Sequence, residues 1–237
     1  MKRVITVLAI VFAGLTPVHA EPTPTIAVID NGTNTSLFKN SIAYEVCIVS
    51  SLTCPNGKKS MFGTGAANLP ATTNKDFNHG TQMISLILRT NPSAKVIPIR
   101  IVGMTAAGNP GLYSLEDVKA ALDWVIANRT TYNISVVSLS QGKVFANCKV
   151  PDGMAQQIST LKSANVPVIA AVGNDGDHTS VFSPACLTDT VAVGATDNPW
   201  PGIQPIEYDK SAKPYIARYS NGTTAQVDFV LNARWNA

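Results

Sequence analysis

An α/β fold is what the sequence predicts: a doubly wound, mostly parallel sheet with helices on both faces. Two observations predict it. Short apolar runs alternate along the chain with segments whose apolar residues recur at helical spacing. The apolar runs are continuous rather than alternating, the pattern of strands buried on both faces.

Thr25-Ile-Ala-Val-Ile-Asp30 is the first such run and ends in a carboxylate. Residues 31–78 are rich in Gly, Asn, Thr and Ser and read as long surface loops with one or two short elements, including Tyr44–Val49. His79-Gly80-Thr81 opens a segment carrying Met83, Ile84, Leu86, Ile87 and Leu88, read as a buried helix. Lys95–Val102 is a strand. Ser114-Leu-Glu-Asp117 resembles a capping box with Asp in the third helical position. Behind it Leu115, Val118, Leu122, Val125 and Ile126 fall on one helical face. Ile134–Leu139 is a strand, Met154–Ala164 a helix, and Val166–Val172 and Thr190–Val193 are further strands. Tyr215–Tyr219 and Gln226–Leu231 read as late, shorter strands. In sheets of this kind functional groups gather beyond the carboxyl ends of the strands. Asp30 and Asn174 both stand at such ends, and His79 opens a helix.

Residues 1–20 read as a secretory signal peptide, so the fold is expected to occupy residues 21–237 as one domain. Lys2 and Arg3 precede the apolar run Val4–Leu15, Pro17 breaks it, and Val18-His19-Ala20 supplies the small residues of a cleavage site. The run is too short to cross a bilayer comfortably, and no later segment is long and apolar enough. The chain is expected to be secreted or periplasmic, with no membrane attachment once the leader is removed. Without Lys2 and Arg3 the remaining 16 basic residues nearly balance 15 acidic ones, which gives no electrostatic case for nucleic acid. Four cysteines in an exported chain suggest two disulfides. Cys47 with Cys54 is the natural local pair, leaving Cys148 with Cys186, although four cysteines allow three pairings. With two histidines after residue 20 and no Cys-x-x-Cys, no metal site is expected.

Several segments carry a specific resemblance. Ile26-Ala-Val-Ile-Asp30, His79-Gly80-Thr81, Val136-Val-Ser-Leu-Ser-Gln-Gly142, Ala170-Ala-Val-Gly-Asn174-Asp-Gly176, Ser183-Pro-Ala185, Val191-Ala-Val-Gly-Ala195 and Tyr219-Ser-Asn221 occur in this order. Together they resemble the motifs of the subtilisin-like serine peptidases. Gln82 stands where that family usually has a second histidine, and Ser85 where glycine is common.

The resemblance implies peptide-bond hydrolysis by an Asp-His-Ser triad acting on a peptide or protein substrate, without a cofactor; a structural calcium site has no readable signature here. Asp30 and His79 would be two members of the triad, and Asn174 the oxyanion donor. Ser138, Leu139, Ser140, Gln141 and Gly142 would line one side of the substrate cleft, with Ala171, Val172 and Gly173 opposite. Ser138 and Ser140 read as lining residues rather than nucleophiles, and His178 as a solvated loop residue. A serine hydroxyl needs a base to become a useful nucleophile, and imidazole titrates near neutral pH. A carboxylate on the other ring nitrogen fixes the tautomer and stabilises the imidazolium.

The Gly-Thr-Ser string of the nucleophile does not occur; Gly222-Thr-Thr224 is the nearest. The spacing in the family, roughly 66 residues from asparagine to serine, points beyond Ala237. The sheet is therefore expected to lack its C-terminal part, and the chain as written to be inactive. The competing reading is a non-catalytic peptide-binding protein on the same fold. The strings Gly-x-Ser-x-Gly and His-Glu-x-x-His are absent, which disfavours an α/β-hydrolase and a zincin. Gly63-Thr-Gly-Ala-Ala-Asn68 only approaches a dinucleotide fingerprint, with no apolar strand before it.

Overall fold

The computed structural model describes residues 23–69, 75–105, 107–196, 220–222 and 227–232. An eight-stranded sheet runs through it in the order β3-β2-β4-β1-β5-β6-β7-β8. The strands are β1 (Thr25–Asp30), β2 (Val46–Ile48), β3 (Ser60–Phe62), β4 (Lys95–Arg100), β5 (Ile134–Leu139), β6 (Val168–Ala171), β7 (Val191–Thr196) and β8 (Phe229–Asn232). Every pairing is parallel except β2 with β3. The helices are α1 (His79–Thr90), α2 (Leu115–Asn128) and α3 (Met154–Ser163).

The alternation within β1 explains the two-sided covering. Ala27 and Ile29 point to one face and pack with Val118, Leu122 and Val125 of α2 and Ile158 and Leu161 of α3. Val28 points to the other and packs with Ile84 of α1 and Val96 of β4. Both faces of one strand are therefore apolar, as a central parallel strand requires. Farther along the sheet the α1 face is barer. Val168 and Ala170 of β6 are buried on the α2–α3 side, whereas Ile169 is 38% exposed and Ala171 is exposed on the opposite side.

The capping box forms as expected. Ser114 accepts from the Asp117 N–H, and Asp117 accepts from the Ser114 N–H at 2.7 Å. Such a cap contributes about 1 kcal/mol. The same carboxylate also accepts from the Ser50 N–H, tying the loop closed by Cys47–Cys54 to the start of α2. The second disulfide is Cys148–Cys186, so the local pairing of the four cysteines is the one adopted.

Two sequence expectations shift. β3 was not anticipated, because three residues with only the middle one half-buried make too short a pattern to read; it forms by pairing antiparallel with β2, with Met61 packed against the cluster around Cys47. The last strand begins at Phe229 rather than Gln226. Asp228 turns its carboxylate onto the Ala192 N–H at 2.7 Å, taking a donor that strand pairing would use. The predicted signal peptide and the predicted strand Tyr215–Tyr219 lie outside the described residues.

Candidate active site

The chain crosses from β4 on one side of β1 to β5 on the other, so the winding reverses beside β1. A crevice opens at the carboxyl ends of the strands at such a reversal. Asp30 is the last residue of β1 and is only 2% exposed. His79, 49 positions later, places Nδ1 2.9 Å from Asp30 Oδ2 and 3.1 Å from Oδ1.

His79-Gly80-Thr81 brings this about residue by residue. A Cβ on Gly80 would fall 2.1 Å from the Gly32 carbonyl oxygen, so only glycine lets α1 approach the loop after β1 this closely. The Gly80 N–H, unpaired within the helix, donates to Asn31 Oδ1 at 3.2 Å. Thr81 Oγ1 accepts from the Asn34 N–H at 3.0 Å and meets the Thr33 hydroxyl at 3.3 Å. The start of α1 is thus fastened to the segment that follows Asp30.

A carboxylate only accepts, so Nδ1 of His79 carries the proton and Nε2 is left as the basic nitrogen. The hydrogen bond to Asp30 is the largest influence on His79 and lifts it above its ordinary 6.5; burial opposes this, and the charge of Asp30 adds to the rise. Arg100 is the register partner of Asp30 on β4, yet its donors go to the Val102 and Asn68 carbonyls at 2.6 and 2.9 Å. Burial holds its guanidinium down to about 10.

Asn174 is exposed on the bend after β6, two strands across the sheet from β1 and at the same edge. Its loop is held by Asn221. Asn221 Oδ1 accepts from the Asp175 and Asp177 N–H groups at 3.0 and 3.1 Å, and the Asn221 N–H donates to the Gly173 carbonyl. Asn221 is fully buried. The sequence placed Asn221 in a motif but not this support, which joins residues 44 and 46 positions apart.

The expected cleft lining needs correction. Ser138 and Leu139 lie inside the ladder, paired with Val28 and Ile29 on one side and Ile169 and Ala170 on the other. Their backbone edges are closed to a peptide, and the Leu139 side chain is in the core. Val172 is likewise spent: its N–H donates to Val193, its carbonyl accepts from Phe182, and its side chain is buried. Of the other expected lining residues, Ser140, Gln141 and Gly142 lie just beyond β5, Ala171 ends β6 and pairs with Val193, and the Gly173 carbonyl accepts from the Asn221 N–H.

Two unanticipated side chains crowd this lining, and an expected one turns away from it. Tyr113 bonds both backbone groups of Gly142 through its hydroxyl. Phe182 stands between the two segments: a Cβ on Gly142 would come 3.1 Å from Phe182, and one on Gly173 only 2.4 Å from its ring. Gln141, expected to serve as cleft lining, turns its amide to Asp30 at 3.0 Å. Among the described residues no group of three or more His, Cys, Asp or Glu is placed to hold a metal ion, and no helix is long and apolar enough to cross a membrane.

A family model described as the Subtilase family matches residues 22–235. Among curated proteins, the minor extracellular protease Epr of Bacillus subtilis (strain 168) is 25% identical over 164 residues, covering 65% of this chain and 23% of that protein. Subtilisin E of the same organism is 26% identical over 176 residues, covering 73% of this chain and 41% of that one. Subtilisin Savinase of Lederbergia lenta is 28% identical over 144 residues, covering 56% and 48%. The chain thus spans less than half the length of each of these relatives. Among solved structures, a lanthipeptide protease superposes with a TM-score of 0.58 at 17% identity, covering 90% of this chain and 56% of that one. A cold adapted subtilisin-like serine proteinase gives 0.54 at 17% identity, covering 88% and 62%. At these identities the likeness is one of fold.

Proposed function

This chain belongs to the subtilase family of serine peptidases, and on that premise we propose that it carries the base and oxyanion half of an endopeptidase site acting on peptides or proteins. His79 takes the proton of a serine hydroxyl through Nε2, and Asp30 holds Nδ1 and steadies the imidazolium. The Asn174 amide donates to the oxyanion, a contact typically worth ~10²–10³ in turnover. Residues Ser140–Gly142, Ala171 and Gly173 receive the substrate backbone. The reaction class needs no cofactor. Residues 1–20 act as an export leader and residues 21–237 belong to the peptidase domain, placing it outside the cytoplasm.

The observation that carries this reading is the 2.9 Å bond between His79 Nδ1 and a carboxylate that is almost wholly buried. Such a pair is what a peptidase needs to hold its base, and this leans toward peptidase chemistry over the peptide-binding alternative. Residues 1–237 contain no Gly-Thr-Ser string, so by themselves they supply a base without its nucleophile.

The test joins residues 21–237 to a Gly-Thr-Ser helix from a subtilase and measures casein hydrolysis and serine labelling by a fluorophosphonate. Hydrolysis that is lost on His79→Ala and on Asp30→Ala supports the reading. Labelling indifferent to both substitutions contradicts it. Residues 1–237 alone should neither hydrolyse casein nor label at any serine.

A further inference from the structure

The Asp30 carboxylate has more partners than His79. Oδ1 accepts from the Asn31 N–H at 2.7 Å and from Gln141 Nε2 at 3.0 Å, while Oδ2 faces His79 Nδ1 at 2.9 Å. Gln141 is 111 positions from Asp30, on the segment just beyond β5. Its amide nitrogen also lies 3.4 Å from His79 Nδ1. Because a carboxylate only accepts, the amide NH₂ and not the amide oxygen must face Oδ1. The Nδ1 proton is committed to Asp30. Gln141 Nε2 and His79 Nδ1 therefore meet as two donors aimed at one carboxylate.

We propose that Gln141 is a positioning residue of this site, its amide orienting the Asp30 carboxylate toward His79 and limiting how strongly that carboxylate favours the imidazolium. Two effects act in the same direction. A second side-chain donor shares the carboxylate charge, so less of it is left to stabilise a protonated ring. The positive end of the amide dipole also sits beside Nδ1, which disfavours adding a proton to that ring. Asp30 still dominates, and His79 stays above 6.5; Gln141 acts against that rise. The other charged or titratable groups around the pair have other partners. Arg100 bonds backbone carbonyls. The Tyr113 phenol, raised chiefly by burial, bonds Gly142. Lys143 lies over the Tyr113 ring at 5.2 Å.

The proposal rests on Asp30 and His79 acting as a pair, and its experiment separates the two claims. The His79 ring is titrated by NMR in the full chain, with His178 as internal reference, for the parent, Gln141→Met, Gln141→Glu and Asp30→Asn. Gln141→Met keeps the length and removes the donor, and should raise the His79 midpoint by about 0.5–1 pH unit. Gln141→Glu adds negative charge and should raise it further, with His178 unmoved in both. A midpoint in Gln141→Met within about 0.2 unit of the parent, in a chain that keeps its native spectrum, overturns the proposal. Should Gln141→Met lose that spectrum, Gln141→Leu, which also removes the donor without adding charge, decides in the same way. Asp30→Asn should lower the midpoint. If His79 answers to Asp30→Asn but not to Gln141, only this inference falls; if it ignores Asp30→Asn, the pair itself falls.

Discussion

The Tyr113 hydroxyl donates to the Gly142 carbonyl at 2.6 Å and accepts from the Gly142 N–H at 3.0 Å. One side chain thus engages both backbone groups of a residue in the cleft lining, 29 positions away. An extended peptide pairing with Gly142 must displace that hydroxyl. Tyr113→Phe removes it and should strengthen binding of a short extended peptide by about three- to tenfold, the worth of about one net hydrogen bond. Isothermal titration measures this. Unchanged or weaker binding would mean that the hydroxyl does not compete with the peptide.

Gly80→Ala should separate α1 from the loop after β1. The added methyl would fall 2.1 Å from the Gly32 carbonyl and 3.2 Å from Asp30 Cβ. We expect a loss of about 1–3 kcal/mol, typical of overpacking, and a His79 midpoint moving back toward 6.5 as the bond to Asp30 lengthens. Urea melts and NMR titration check both. A variant unchanged in both would show that the close approach does not set the pair.

The two disulfides should differ in worth. Cys148–Cys186 spans a sequence separation of 38 and Cys47–Cys54 one of 7. Loop entropy then assigns about 4 kcal/mol to the first and about 2.5 kcal/mol to the second. Paired Cys→Ser variants of each, melted in guanidinium, give the comparison. Equal losses, or a larger one for the short loop, would contradict the loop-length account.

His79 links stability to pH. Its pKa is raised in the fold, first by the Asp30 hydrogen bond. A raised basic group stabilises the fold fully below its unfolded value, near 6.5, and that contribution fades as pH rises through the higher folded value. The stability advantage of the parent over His79→Gln should therefore be larger at about pH 5.5 than at about pH 8.5. The ring is partly exposed, with 36% of its side chain accessible, so the difference is expected to be modest. An advantage that grows with pH would reverse the sign and defeat the assignment.

The strands and helices were legible because their signals are local. Continuous apolar runs marked β1, β4, β5 and β6, helical spacing marked α2, and the Ser114–Asp117 spacing marked where α2 begins. The residues of the pair were legible for a different reason. Asp30 ends an apolar strand, but it and His79 stood out through the resemblance of their motifs, in order along the chain, to those of the subtilisin-like peptidases. β3 escaped notice because three residues make too short a pattern to read.

By itself the sequence determined the α/β class, the order of the longer elements and the identity of Asp30, His79 and Asn174 as candidates, and it favoured the local cysteine pairing without fixing it. Each follows from residues close in the chain or from a motif. Only the tertiary structure decided which of the expected lining residues are taken up on both sides by the sheet. Ser138 and Leu139 are, because β5 has a neighbour on each side, a fact of sheet order that no local pattern carries. The same holds for the Tyr113 hydroxyl on Gly142, the Phe182 ring between Gly142 and Gly173, and the Gln141 amide on Asp30. These contacts join segments tens of residues apart, and close packing, not periodicity, selects which side chain fills each space.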